Sequence, residues 1–231
     1  MNADKQINFH LHQRRRRQMT RNKFNVYLLA ALCCLFANSL LVTAQAPKQT
    51  VSGGERQALL KRFDDAYAQT LKSVEKLSDA QWAYKAAPDK WSVGETLEHI
   101  VLAEGLLFGM IEKTLAAPPN PAWAEHTKGK LAVIEKIMLD RSMKVQAPGE
   151  IAPAGKLTRA EVLAKFKARR AASRKFVKET QAALHAQTGD HPFPAIGTLS
   201  AYQWLVYTAL HNLRHLQQIE EVKANAGFPK A

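Results

Sequence analysis

Two histidines four residues apart, His211 and His215, stand in the run His211-Asn212-Leu213-Arg214-His215 near the C-terminal end of the chain. On a helix this spacing puts both on one face, about a turn apart. Imidazole is the commonest protein ligand for divalent transition metals, so such a pair can grip one ion from two directions. A third histidine from a neighbouring helix would complete a neutral donor set and leave room for water or substrate on the ion. His99 is the upstream candidate. Taken alone, the spacing is more often that of solvent-facing or hydrogen-bonded histidines than of a metal site. Asn212 also occupies the place where H-E-x-x-H metalloproteases carry their glutamate.

Helices must position these residues. A helical pattern runs from about Gly54 to Leu77, with Leu60, Phe63, Tyr67, Leu71, Val74 and Leu77 as its apolar stripe. Ser78-Asp79-Ala80-Gln81 opens a short turn through Pro88. The second helix begins at the capping box Ser92-Val93-Gly94-Glu95, carries His99, and is ended by Pro118-Pro119. A long connection over 117–157 follows, with a short helix expected from Lys130 to Met143. The third helix opens at a second capping box, Thr158-Arg159-Ala160-Glu161, and turns Val162, Phe166, Phe176, Val177 and Leu184 inward. A Pro/Gly loop spans 188–197, and the last helix starts near Ser200 and fades by Gly227. No strand-like alternation is visible. The predicted class is all-α, a four-helix bundle with a long crossover between helices two and three.

The last helix has two stripes. Leu199, Tyr202, Val206, Ala209, Leu213 and Leu216 form one; Trp204, Thr208, His211, His215, Gln218 and Val222 form the other. A helix apolar on both sides is flanked on both sides, so the histidine pair is expected at a bundle seam. Glu104 lies about 140° round its helix from His99, at 100° per residue, and reads as a polar bundle contact, not a ligand. Trp204 is a candidate pocket wall, and Gln218 a candidate to orient a ligand or water.

The first 44 residues read differently. A basic segment containing Arg14-Arg15-Arg16-Arg17 precedes an apolar run from Val26 to Ala37, and small residues follow up to Ala44. This is the layout of a secretory signal peptide, with cleavage expected after Ala44 and the folded domain at 45–231. The apolar run is short for a membrane span, though an uncleaved anchor is the competing reading. Cys33 and Cys34, the chain's two cysteines, both fall in that run. The exported domain would then have no disulfide and no thiol nucleophile of its own. Removing the segment lowers the formal net charge from +13 to near +7. The cations Lys165, Lys167, Arg169, Arg170, Arg174, Lys175 and Lys178 of the third helix read as a solvated face, since no nucleic-acid motif accompanies them.

The run Pro88-x-x-Trp91-Ser92-Val93-Gly94-Glu95-x-Leu97-x-His99-Ile100, paired with His211-Asn212-Leu213-Arg214-His215-Leu216-x-Gln218-Ile219, resembles the DinB-like superfamily. The resemblance extends from about Glu55 to Pro229. It implies a bundle of up-down-down-up topology with a divalent metal held by His99, His211 and His215; Zn, Ni, Fe and Mn all suit three imidazoles. It also implies a metal-dependent S-transferase using a low-molecular-weight thiol and a small-molecule substrate. The competing expectation is a metal-binding or stress-response bundle without turnover. No nucleic acid, no membrane once the signal is removed, and a homodimer complete the expectations, with the protein periplasmic or extracellular.

Overall fold

The computed structural model describes residues 50–142 and 146–230, and the predicted export signal lies outside the described residues. Among the described residues, ten elements follow one another: α1 (Gly53–Val74), α2 (Asp79–Ala83), α3 (Val93–Ala116), α4 (Trp123–His126), α5 (Lys130–Leu139), a 3₁₀ turn (Gly149–Ile151), α6 (Arg159–Glu179), β1 (Thr188–Asp190), β2 (Thr198–Ser200) and α7 (Ala201–Lys223). The long helices α1, α3, α6 and α7 form the four-helix bundle. Among the described residues, no helix is long and apolar enough to cross a membrane.

Local chemistry fixes where the bundle helices begin. Ser92 Oγ accepts from the Glu95 amide at 3.1 Å while the Ser92 amide donates to Glu95 Oε2 at 2.8 Å, the reciprocal pair expected from the sequence. Thr158 and Glu161 repeat it at α6, and Ser52 with Glu55 and Ser200 with Gln203 do the same for α1 and α7. All four bundle helices therefore start at a capping box. These caps fix where each helix begins, and the spacing of the apolar residues decides which side chains face inward.

The interior has three levels. One apolar cluster gathers Leu59, Phe63, Leu107, Ile111, Val177 and Leu205, with further residues of α7. A second holds Val74, Leu97, Ile100, Phe166, Ile219 and Val222. Between them along the helices come the buried polar residues Thr70, Glu104, Arg170, Ser173 and Asn212, at least one from each bundle helix. Along the chain, α1 and α7 pass from the first cluster to the second, and α3 and α6 from the second to the first. Consecutive helices that run the same way, such as α3 and α6, require a long connection, which residues 117–158 supply.

Several boundaries differ from the sequence reading. The first helix stops at Val74, and its buried face is Leu59, Phe63, Ala66, Thr70 and Val74; Leu60 and Leu71 sit at its edge. The helix expected to reach Met143 ends at Leu139. Leu184 is fully buried, but from the turn after α6, which closes at Glu179. The loop expected over 188–197 is framed by a two-stranded antiparallel ribbon pairing Thr188 with Ser200 and Asp190 with Thr198. Its strands are three residues long, too short for a period of two to register. The first ten residues of α7 are all buried. The double-sided stripe has a cause on each side: α7 faces α1 and α3 within the bundle, and α5 covers its other side with Ile134 and Met138.

Candidate metal centre

His99 sits on the second turn of α3, and His211 and His215 a turn apart on α7. The structure brings the three predicted residues together: one nitrogen from each ring lies within 4.8 Å of the other two. Ring centroids are 4.4 Å apart for His99–His215, 4.5 Å for His211–His215 and 5.3 Å for His99–His211. His99 and His215 are buried, and His211 is mostly buried beside them.

Hydrogen bonds decide which nitrogens face inward. His99 Nδ1 lies 2.8 Å from the carbonyl oxygen of Ile151, at the end of the 3₁₀ turn. A carbonyl only accepts, so His99 carries its proton on Nδ1 and its Nε2 is bare. His215 Nδ1 meets Gln218 Oε1 at 2.9 Å, which leaves His215 Nε2 bare as well. The two Nε2 atoms face each other at 3.1 Å. Two lone pairs aimed at each other repel. A cation between them, bonded at about 2.0–2.1 Å to each in tetrahedral geometry, would turn that repulsion into coordination at nearly the same nitrogen separation. The donor set thus fits a divalent ion.

The rings are also held neutral. Burial pushes the His99 imidazole below its usual range, against the pull of the Ile151 hydrogen bond. His211 is pushed down to about 3 by burial and then by His99 and Arg214 nearby. His215 is driven well below 6.5 by burial and by the two other histidines, although Gln218 opposes this. Neutral imidazole is the form that ligates metal, so at neutral pH no proton has to be displaced from the donor nitrogens.

The surroundings redistribute several roles. Gln218, expected to orient a ligand or water, orients His215 itself. Trp204 is not a pocket wall. It is 1% exposed and packs on His191 and Tyr207, with ring centroids 4.9 and 5.9 Å away. The wall is Trp91, whose ring lies 4.8 Å from that of His99 and 6.3 Å from that of His215. Sequence reasoning placed Trp91 in the motif and gave it no role. Its position just before the Ser92 cap was the available signal. Tyr207, one turn before His211, lays its ring nearly parallel to that imidazole at 6.2 Å.

Glu104 is a bundle contact, as expected from its angle. Its partner corrects the reading of the basic run. Arg170 is not on a solvated face but is 3% exposed, pairing with Glu104 Oε2 at 3.4 Å and donating to Asn212 Oδ1 at 3.0 Å. Ser173 donates to Glu104 as well. The remaining cations of that run are exposed. A groove of about 660 Å³ between α3 and α6 includes Val101, Leu106, Lys165 and Arg169 in its lining and shares Ile151 with the histidine site, but none of the three histidines lines it.

Comparison with known proteins agrees with this architecture. The family model described as the DinB superfamily matches residues 62–219, well over half of the chain. The chain belongs to the DinB superfamily. An uncharacterized protein of Bacillus subtilis (strain 168), YuaE, is 23% identical over 163 residues, covering 70% of this chain and 94% of YuaE. Among solved structures, YfiT from Bacillus subtilis superposes with a TM-score of 0.53 at 14% identity, over 79% of this chain and 94% of YfiT. YfiT is described as a probable metal-dependent hydrolase with an unusual four-helix bundle topology. At that identity the likeness shows the fold. All three histidines of this DinB-superfamily chain fall inside the matched residues.

Proposed function

We propose that this chain is an exported metal-dependent enzyme that holds one divalent transition ion through His99, His211 and His215 and activates a small nucleophile there. The observation that carries the reading is the 3.1 Å approach of His99 Nε2 to His215 Nε2, with each ring hydrogen-bonded at its opposite edge. When bound, such an ion supplies Lewis acidity, lowering the pKa of a coordinated water or thiol and polarising a carbonyl.

The chain's own residues set the conditions. Three neutral ligands leave the full charge of a dication uncompensated, which favours an anionic nucleophile. Buried His99 and His215 form the floor of the site, and His211 completes the donor set beside them. Trp91 supplies an apolar wall beside the floor. The nucleophile is water or a low-molecular-weight thiol brought in from solution, because both cysteines precede the folded domain. The description of YfiT supports water; the absence of an internal thiol makes the thiol a cosubstrate if it is used. Zn, Ni and Fe suit an all-imidazole set well, and Mn, which favours oxygen donors, suits it less.

The basic and apolar segments before Ala44 support export to the periplasm or beyond. A screen of simple ester and amide hydrolysis, beside conjugation of small thiols to electrophiles, tests the enzymatic reading. Turnover that requires added metal and disappears in His99→Ala is expected. A complete absence of metal-dependent turnover would favour a binding protein.

A further inference from the structure

Of the three residues between the ligand histidines on α7, two are polar, Asn212 and Arg214, and each reaches a different neighbour. Arg214 stretches away from the bundle. Its Nη1 lies 3.1, 3.3 and 2.6 Å from the carbonyl oxygens of Ile137, Met138 and Asp140, the last turn and C-cap of α5. Those carbonyls lack helical partners and carry the negative end of the helix dipole, so a guanidinium is the group suited to cap them. Asn212 reaches into the bundle. Its Oδ1 accepts from Arg170 at 3.0 Å and its Nδ2 donates to Thr70 Oγ1 at 3.3 Å. Through Arg170 it is joined to Glu104, which lies on α3, the helix that carries His99.

We infer that Asn212 and Arg214 are positioning residues that lock the rotation of α7, so that His211 and His215 are presented to His99 at metal-binding distance before any ion arrives. This rests on the three-histidine reading of the site. Side chains reach about 5–6 Å from a helix axis, so a 10° rotation of α7 moves a ligand nitrogen by about 1 Å. A metal site tolerates about half that. Apolar burial selects the inward face but is non-directional. Hydrogen bonds on two sides of one helix add directional restraints on its rotation. Asn212 opposes rotation through α1 and α6, and Arg214 opposes it through α5. The interval between the two ligand histidines therefore specifies the site as much as the histidines do.

The test uses Asn212→Leu and Arg214→Met, which remove the hydrogen bonds and keep comparable bulk. The full domain is measured for Co(II) affinity by competition with a chromophoric chelator, and for helix content and Tm in the metal-free state. Val177→Ala, a buried change on α6 remote from the histidines, controls for loss of stability. Folded Asn212→Leu and Arg214→Met should bind Co(II) about 10- to 100-fold more weakly than wild type, with a changed Co(II) absorption band. Val177→Ala should lose Tm and keep its affinity. Arg214→Lys, which can still donate to the α5 carbonyls, should recover part of what Arg214→Met loses. If Asn212→Leu fails to fold, the Arg214 pair decides. Wild-type affinity in the folded variants, or an equal loss in Val177→Ala, overturns the inference. A wild-type protein that binds no Co(II) would instead overturn the metal reading beneath it.

Discussion

Gln218 Oε1 lies 2.9 Å from His215 Nδ1, one turn further along the same helix, and so decides which nitrogen of His215 faces His99. Ile151 does the same for His99 through a backbone carbonyl. One orienting partner can be mutated as a side chain and the other cannot. Gln218→Leu should leave helix content unchanged and weaken divalent-metal binding about 10- to 100-fold, as loss of a hydrogen bond behind a ligand does. Isothermal titration with Zn(II) checks it. An affinity equal to wild type would mean that packing, and not Gln218, orients the ring.

Stability of the metal-free protein should fall in acid. His99, His211 and His215 all titrate below the 6.5 of an exposed imidazole, and His211 only near 3. Between those values the unfolded chain binds more protons than the folded one, so lowering the pH favours unfolding. The stabilising contribution is complete above about pH 6.5 and is lost as the pH drops towards 3. Urea unfolding of chelator-treated protein from pH 8 to pH 4.5 should show a falling midpoint. His211→Phe, which removes one of the three depressed groups, should flatten part of that dependence.

The Glu104–Arg170 pair makes a separate prediction about the core. Both are 3% exposed, and the guanidinium also lies 4.7 Å from the centre of the Phe63 ring. Burial depresses the Arg170 pKa, and Glu104 opposes the shift. Removing one partner strands the other charge in the interior. Arg170→Met should therefore cost about 3–5 kcal/mol in denaturant unfolding, whereas the double change Arg170→Met with Glu104→Leu should cost much less. Equal losses in the two would place the cost in the volume of the side chain and not in its charge.

Much of this fold is legible in the sequence because it is encoded locally. Ser92-x-x-Glu95 and Thr158-x-x-Glu161 announce two of the bundle helices, and both form the reciprocal hydrogen bonds that the motif predicts. The three histidines are legible through spacing and family pattern. Arg170 was misread because a charged residue within a basic run looks solvated. Yet Val162, Phe166, Arg170, Ser173 and Val177 fall at steps of four, four, three and four, the spacing of one buried face. That phase was the missed signal. Ile151 could not have been found: a carbonyl has no sequence signature, and only the path of the 117–158 connection brings it to His99.

The export reading has its own outcome. Protein recovered from the cell envelope should begin at Gln45 or close to it when its N-terminus is sequenced. Full-length chain found solely in the cytosol would contradict the proposed compartment.

The central claim is that His99, His211 and His215 hold one ion between them. The most direct measurement is elemental analysis of the purified domain beside His211→Ala, each at known protein concentration. About one divalent transition ion per chain in the wild type, with loss of that ion in a folded His211→Ala, is the predicted result. Equal metal content in the two proteins, or no metal retained by wild type even after loading, would contradict it.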